Sequence, residues 1–95
     1  MVKIASGLTG ANSGSAYSWG GGYCVVVFVL TTAGGSTAKL QISPDNGTTW
    51  IDIDNASATA SIAKLLGYIP KCKIRGTTAS GTAANIDIYV QRADV

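Results

Sequence analysis

Apolar and polar residues alternate with period two over several short stretches of the chain. In KLQIS, Leu40 and Ile42 share one face while Lys39, Gln41 and Ser43 share the other, the signature of a half-buried strand. Pro44 presets φ for a turn, and Asp45-Asn46-Gly47 supplies residues that tolerate positive φ or bond their own backbone. The alternation then resumes, with Thr49, Ile51 and Ile53 on one face and Thr48, Trp50, Asp52 and Asp54 on the other. Two strands and a compact turn over Lys39–Asp54 predict a hairpin, and the rest of the chain is expected to be built around it.

The other patterned stretches also predict strands. KCKIRG, residues 71–76, alternates with Cys72 and Ile74 inward and Lys71, Lys73 and Arg75 outward; Ala84–Arg92 places Ile86, Ile88 and Val90 inward and Asp87, Tyr89 and Gln91 outward. Tyr23–Thr32, YCVVVFVLTT, is β-branched and apolar on both faces, which predicts a central strand covered on both sides, by the opposite sheet and by a neighbouring subunit. Ala33-Gly34-Gly35-Ser36 reads as the turn into the hairpin, and TTASGTA, residues 77–83, as a loop. Residues 55–70 fit either period; the β-rich context favours a short strand at Ala58–Ile62, a loop, and Tyr68-Ile69 leading into Pro70, which belongs at a strand start or an edge.

Residues 1–20 are rich in Gly, Ser and Ala without a sustained period, so they read as an extended N-terminal arm with short strands near Val2–Ala5 and Ala16–Trp19. Trp19 stands before Gly20-Gly21-Gly22, either capping the open end of the core or serving as an exposed anchor. Many short strands, Gly-rich turns and no stretch that fits a helix alone predict an all-β antiparallel sandwich, jelly-roll-like, as a single domain over 1–95 with 21–95 as its body.

Composition narrows the function classes. A chain of 95 residues buries only roughly 60 to 65% of its unfolded surface, so burial against partner subunits adds usefully to its stability. Charged residues make up 13% and hydrophobic ones 46%, too apolar for a disordered chain. The net charge of +2 comes from basic residues that are spread out except for Lys71, Lys73 and Arg75, which argues against a nucleic-acid partner. The longest apolar run, Cys24–Leu30, is far short of the about 20 residues that a membrane-spanning helix needs, so no membrane association is expected. The N-terminal stretch carries no apolar core of a secretory signal, and a protein made and used without secretion is expected. Cys24 and Cys72 lie in predicted strands and read as free buried thiols, with a strand-to-strand disulfide as the alternative.

Candidate chemistry is sparse. The sequence has no histidine, which removes the usual general base and any Ser-His-Asp or Cys-His arrangement. Asp52 and Asp54, two residues apart on one strand face, are solvated carboxylates rather than the cleft-bound acid that glycosidase chemistry needs. Asp45-Asn46-Gly47 lacks the alternating oxygen-ligand spacing of a calcium loop. No enzyme activity, cofactor or metal is therefore expected. Lys71, Lys73 and Arg75 repel one another unless something negative faces them; they read either as a solvated edge protected against aggregation or as the contact for an acidic patch on a protein partner.

The combination of WGGGYCVVVF, LQISPDNGTTWIDI and a closing IDIYVQR resembles a group of small tailed-bacteriophage virion proteins. The resemblance covers residues 19–54 well and 84–92 loosely, and SPDNGTTW is its most specific part. It implies a β-sandwich or jelly roll that coats the head as a capsid decoration (cement) protein, often as a homotrimer. The implied partner is the major capsid protein and the implied location the virion surface, after synthesis in the bacterial host cytoplasm. A carbohydrate- or receptor-binding tail or fibre component is the alternative, with Trp50 and Tyr89 offering rings to a saccharide. The family brings no catalytic residues; the expected protein contacts are Trp19, Tyr23, Trp50, Lys71, Lys73, Arg75 and Tyr89.

Overall fold

The structure, a computed structural model, describes residues 1–8, 12–30, 37–78 and 85–93. Within them the chain forms β1 (Val2–Leu8), β2 (Tyr17–Trp19), β3 (Gly22–Leu30), β4 (Ala38–Ser43), β5 (Ile51–Ala58), β6 (Ile62–Ile69), β7 (Cys72–Thr78) and β8 (Ile86–Arg92). These make two antiparallel sheets of four strands: a back sheet in the order β1-β8-β3-β6 and a front sheet in the order β2-β7-β4-β5. The antiparallel pairs β4·β5, β3·β6, β2·β7 and β1·β8 nest one outside the next. The chain is thus one long hairpin, centred on the β4–β5 turn and rolled up so that β3 also meets β8 and β4 meets β7. This is the all-β sandwich that the sequence predicts.

Alternation decides which residues fill the space between the sheets. Cys24, Val26 and Phe28 of β3, Ile86, Ile88 and Val90 of β8, Leu40 of β4 and Ile74 of β7 are fully buried there. These are the positions the period of two assigns to the interior. Gly76 on β7 lets the sheets approach closely: a Cβ built on it would lie 2.5 Å from Ile88 Cδ1 and 3.1 Å from Ala5 Cβ. The turn between β2 and β3 carries the chain from one sheet to the other through Gly21 and Gly22 at φ 93° and 119°. At Gly22 the missing side chain makes room for the Arg92 guanidinium, whose Nε would lie 2.7 Å from an added Cβ.

The structure departs from the sequence reading in three places. The expected arm is built into both sheets: β1 pairs with β8, β2 pairs with β7, and Ile4, Ala5 and Leu8 join the core. Backbone bonds from Gly14 to Gly76 and from Thr78 to Asn12 tie residues 12–14 along β7 as well. The strand expected at Ala58–Ile62 is instead a break, because β5 ends at Ala58 in the front sheet and β6 begins at Ile62 in the back sheet. Alternation across that break is a coincidence of composition; a sheet-to-sheet corner cannot continue one ladder. Finally, β7 is an interior strand between β2 and β4, so the solvated-edge reading of its cations is wrong. The turn expected at Ala33–Ser36 and most of the loop expected at 77–83 lie outside the described residues.

Candidate functional site

The hairpin turn is fixed by its own side chains. Gly47 N donates to Ser43 Oγ at 2.6 Å, Ser43 Oγ donates to Asp45 Oδ1 at 2.9 Å, and Thr49 N donates to the same carboxylate oxygen at 2.6 Å. Asn46 and Gly47 take the positive φ values, 61° and 103°, as Asn-Gly chemistry requires. The Thr49 hydroxyl and amide, with Ser43, hold the Asp45 carboxyl below the usual carboxylate range. Asp45 is thereby accounted for as a turn residue.

The turn delivers Trp50 onto the outer face of the front sheet. Inward Ile74 and Gly76 direct Arg75 outward, and its Cζ lies 4.5 Å from the Trp50 ring centroid, a cation–π contact. Arg75 Nε also donates to Gln41 Oε1 at 2.8 Å, Gln41 Nε2 donates to Asp52 Oδ1 at 2.8 Å, and Lys39 Nζ meets Asp52 Oδ2 at 3.1 Å. Gln41, first, and Lys39 hold the Asp52 carboxyl below its ordinary value. One bonded line therefore crosses the sheet from Trp50 on the turn to Lys39 on β4. Beside it Lys73 Nζ donates to Ser18 Oγ at 2.8 Å, while Lys71 is exposed just before β7. Of the three cations, Arg75 is thus engaged by a ring face and an amide oxygen and Lys73 by a hydroxyl.

Next to this line, Ser18, Trp19, Pro44, Asn46, Pro70 and Lys73 border an open groove of about 720 Å³ between the end of β2 and the hairpin turn. Trp19 itself is not offered to solvent. It is 4% exposed, and its Nε1 donates to the Ile69 carbonyl at 3.0 Å. Of its two readings the ring takes the first, closing the end of the core.

The outer face of the back sheet has the opposite character. On β3, Tyr23, Val25, Val27 and Val29 point away from the core, and on β6 they face Tyr68, Leu65 and Ala63. Leu65 and Tyr68 are each 65% exposed, and Tyr23 packs edge-on against Tyr68 with ring centroids 5.9 Å apart. This face becomes polar only towards β8 and β1, where Lys3 Nζ lies 5.3 Å from the Tyr89 ring centroid and 3.7 Å from Asp87 Oδ2. Tyr89 first, then Asp87, raises the Lys3 pKa. Sequence reasoning marked β3 as apolar on both faces but missed Leu65, because residues 55–70 had no clear period.

The seven expected contact residues thus divide. Trp50, Lys71, Lys73 and Arg75 gather on or beside the front face, Tyr23 and Tyr89 lie on the back face, and Trp19 is inside. Trp50 and Tyr89 stand on opposite sides of the sandwich, each beneath a cation, so one saccharide cannot be held by both. Cys24 and Cys72 are free thiols, the first buried in β3 and the second half-buried in β7. Among the described residues no three His, Cys, Asp or Glu side chains converge on a point where a metal ion could sit. Searches against protein-family models, curated proteins and solved structures find no match for this chain.

Proposed function

We propose that this chain is a capsid decoration protein of a tailed bacteriophage, which binds the outer head shell as a homo-oligomer and stabilises contacts between major capsid protein subunits without catalysis. The observation that carries this reading is the Trp50–Arg75–Gln41–Asp52 line on the front sheet. Trp and Arg are the side chains that most often dominate protein interfaces. Here both are held in place before any partner arrives, so little rotamer freedom remains to be lost on docking. Lys73 and exposed Lys71 flank the pair with positive charge suited to an acidic patch on the shell. Many copies on one shell make weak single contacts sufficient, and binding the assembled shell but not its dissociated subunits stabilises it by mass action.

The test is to add purified protein to capsids stripped of accessory proteins and to follow binding and resistance to heat and osmotic shock. Wild type is expected to bind and protect. Arg75→Ala and Trp50→Ala are expected to remain folded and to bind at least about tenfold more weakly. Wild-type protein that neither binds nor protects refutes the reading.

A further inference from the structure

The outer face of the back sheet is built like the inside of a sandwich. Val25, Val27 and Val29 alternate with the buried Cys24, Val26 and Phe28 along one strand, so the two sides of β3 differ little in polarity. Leu65, Tyr23 and Tyr68 extend that surface onto β6 and are among the most exposed large apolar side chains of the described residues. Contiguous exposed apolar surface of this kind marks an interaction site.

We infer that this face is a two-fold interface between two copies of the chain, with β3 and β6 of each copy at its centre. Charge and size select a second copy as the occupant. The β3 and β6 part of the face carries no charged residue, so a two-fold axis there brings no like charges together. The front face, by contrast, carries Arg75 and Lys73 on β7 and Asp52 on β5, and pairing it with itself would strip water from all of them. The sandwich measures 33 × 28 × 20 Å. Its whole broad face, the polar β8 and β1 side included, is therefore on the scale of the about 800 Å² per partner that a standard interface covers. An apolar centre with Lys3, Asp87 and Gln91 towards one side matches the core-and-rim layout of such interfaces.

Growth through the β6 edge is a poorer route to association. Lys64 pairs with the inward Val26, so its chain runs towards the interior side, where Nζ lies 3.4 Å from the Asn55 carbonyl oxygen of β5. The β3·β6 register also shifts between Cys24 and Val25, beside Gly67 at φ 92°. An inward charge and a bulge are the devices that keep an edge strand from templating another. Association is thus directed to the face.

This inference rests on the homo-oligomer part of the proposed function and not on the capsid as partner, and it sets a two-fold pair in place of the homotrimer that the resemblance implies. Sedimentation equilibrium of the purified chain from low to high micromolar concentration tests it. Wild type is expected at twice the 9.6 kDa monomer mass. Leu65→Asp and Tyr68→Asp, each at an exposed position and each checked for an unchanged circular dichroism spectrum, are expected to raise the dimer dissociation constant about tenfold or more. Arg75→Ala, on the opposite face, is expected to leave the dimer intact. A wild-type monomer throughout the range, a trimer, or a dimer indifferent to both aspartates overturns the proposal. A dimer that obeys these rules but ignores stripped capsids refutes the capsid partner alone.

Discussion

Replacing Gly76 by alanine tests how closely the two sheets approach behind the Arg75 face. The added methyl would sit 2.5 Å from Ile88 Cδ1, 3.1 Å from Ala5 Cβ and 3.4 Å from Ile88 Cγ1, against an optimal carbon–carbon separation of about 3.5 to 4.0 Å. Ile88 is fully buried and Ala5 nearly so, so neither can swing into solvent, and the strain must be met by a poorer rotamer or by parting the sheets. Overpacking of this kind costs about 1 to 3 kcal/mol. The loss of glycine freedom in the unfolded chain offsets about 0.4 to 1 kcal/mol of that. A net destabilisation of about 1 to 2 kcal/mol should lower the melting temperature by about 5 to 15 °C for a domain of this size.

A double-mutant cycle isolates the cause. Ile88→Val deletes the Cδ1 atom that meets the new methyl and alone costs about 0.5 to 1.5 kcal/mol. Combined with Gly76→Ala it should be barely less stable than Ile88→Val by itself, a favourable coupling of about 1 kcal/mol. Urea unfolding of the four proteins, with equal slopes, measures each term. A Gly76→Ala protein that melts within about 2 °C of wild type refutes the argument. So does a double mutant additive within about 0.5 kcal/mol.

Two further outcomes follow from buried polar atoms. Trp19→Phe keeps most of the ring but removes the donor to the Ile69 carbonyl, so unfolding should become easier by about 1 to 3 kcal/mol, read as a lower urea midpoint; an unchanged midpoint shows the carbonyl to be otherwise satisfied. Burial pushes the Cys24 thiol from 9.0 up to about 11. The folded state therefore keeps a proton that the unfolded chain releases, and stability is lost as pH rises through that window. Relative to Cys24→Ala, wild type should lose about 2 to 3 kcal/mol between neutral pH and the upper end of the window, and parallel stability profiles for the two proteins contradict it.

What the sequence disclosed depended on whether a strand keeps its period. The inward sets of β4, β7 and β8 were legible because each has a ladder that runs without a shift, and the β4–β5 hairpin because the Pro44-Asp45-Asn46-Gly47 turn announces it. Alternation fades in β1, whose ladder shifts twice and whose neighbours Ile4 and Ala5 are both buried. It fades again in β5, where the register jumps between Lys39 and Gln41 and Asn55 adopts φ 61°. The Thr59-Ala60-Ser61 corner has no Gly, Pro or Asn to announce it. At the candidate site, the outward direction of Lys73 and Arg75 was legible from alternation. The stacking of Arg75 on Trp50 was not, because it depends on which strands become neighbours, and strand order is a property of the whole fold.

The rolled hairpin also sets an order of assembly. The β4–β5 pair closes over only the residues between Ser43 and Ile51, whereas β1–β8 joins Val2 to Val90. Loop-closure entropy grows with the length of chain enclosed, so each inner pair shortens the loop that the next must close, and pairing proceeds outward from the turn. The resulting high contact order belongs to proteins that fold in milliseconds to seconds. During synthesis the consequence is sharper, because β8 is the last of the eight strands to be made and yet lies between β1 and β3. Until it arrives, β1 has no ladder partner and β3 has one open edge, and the final strand goes in like a bolt that pairs with both at once.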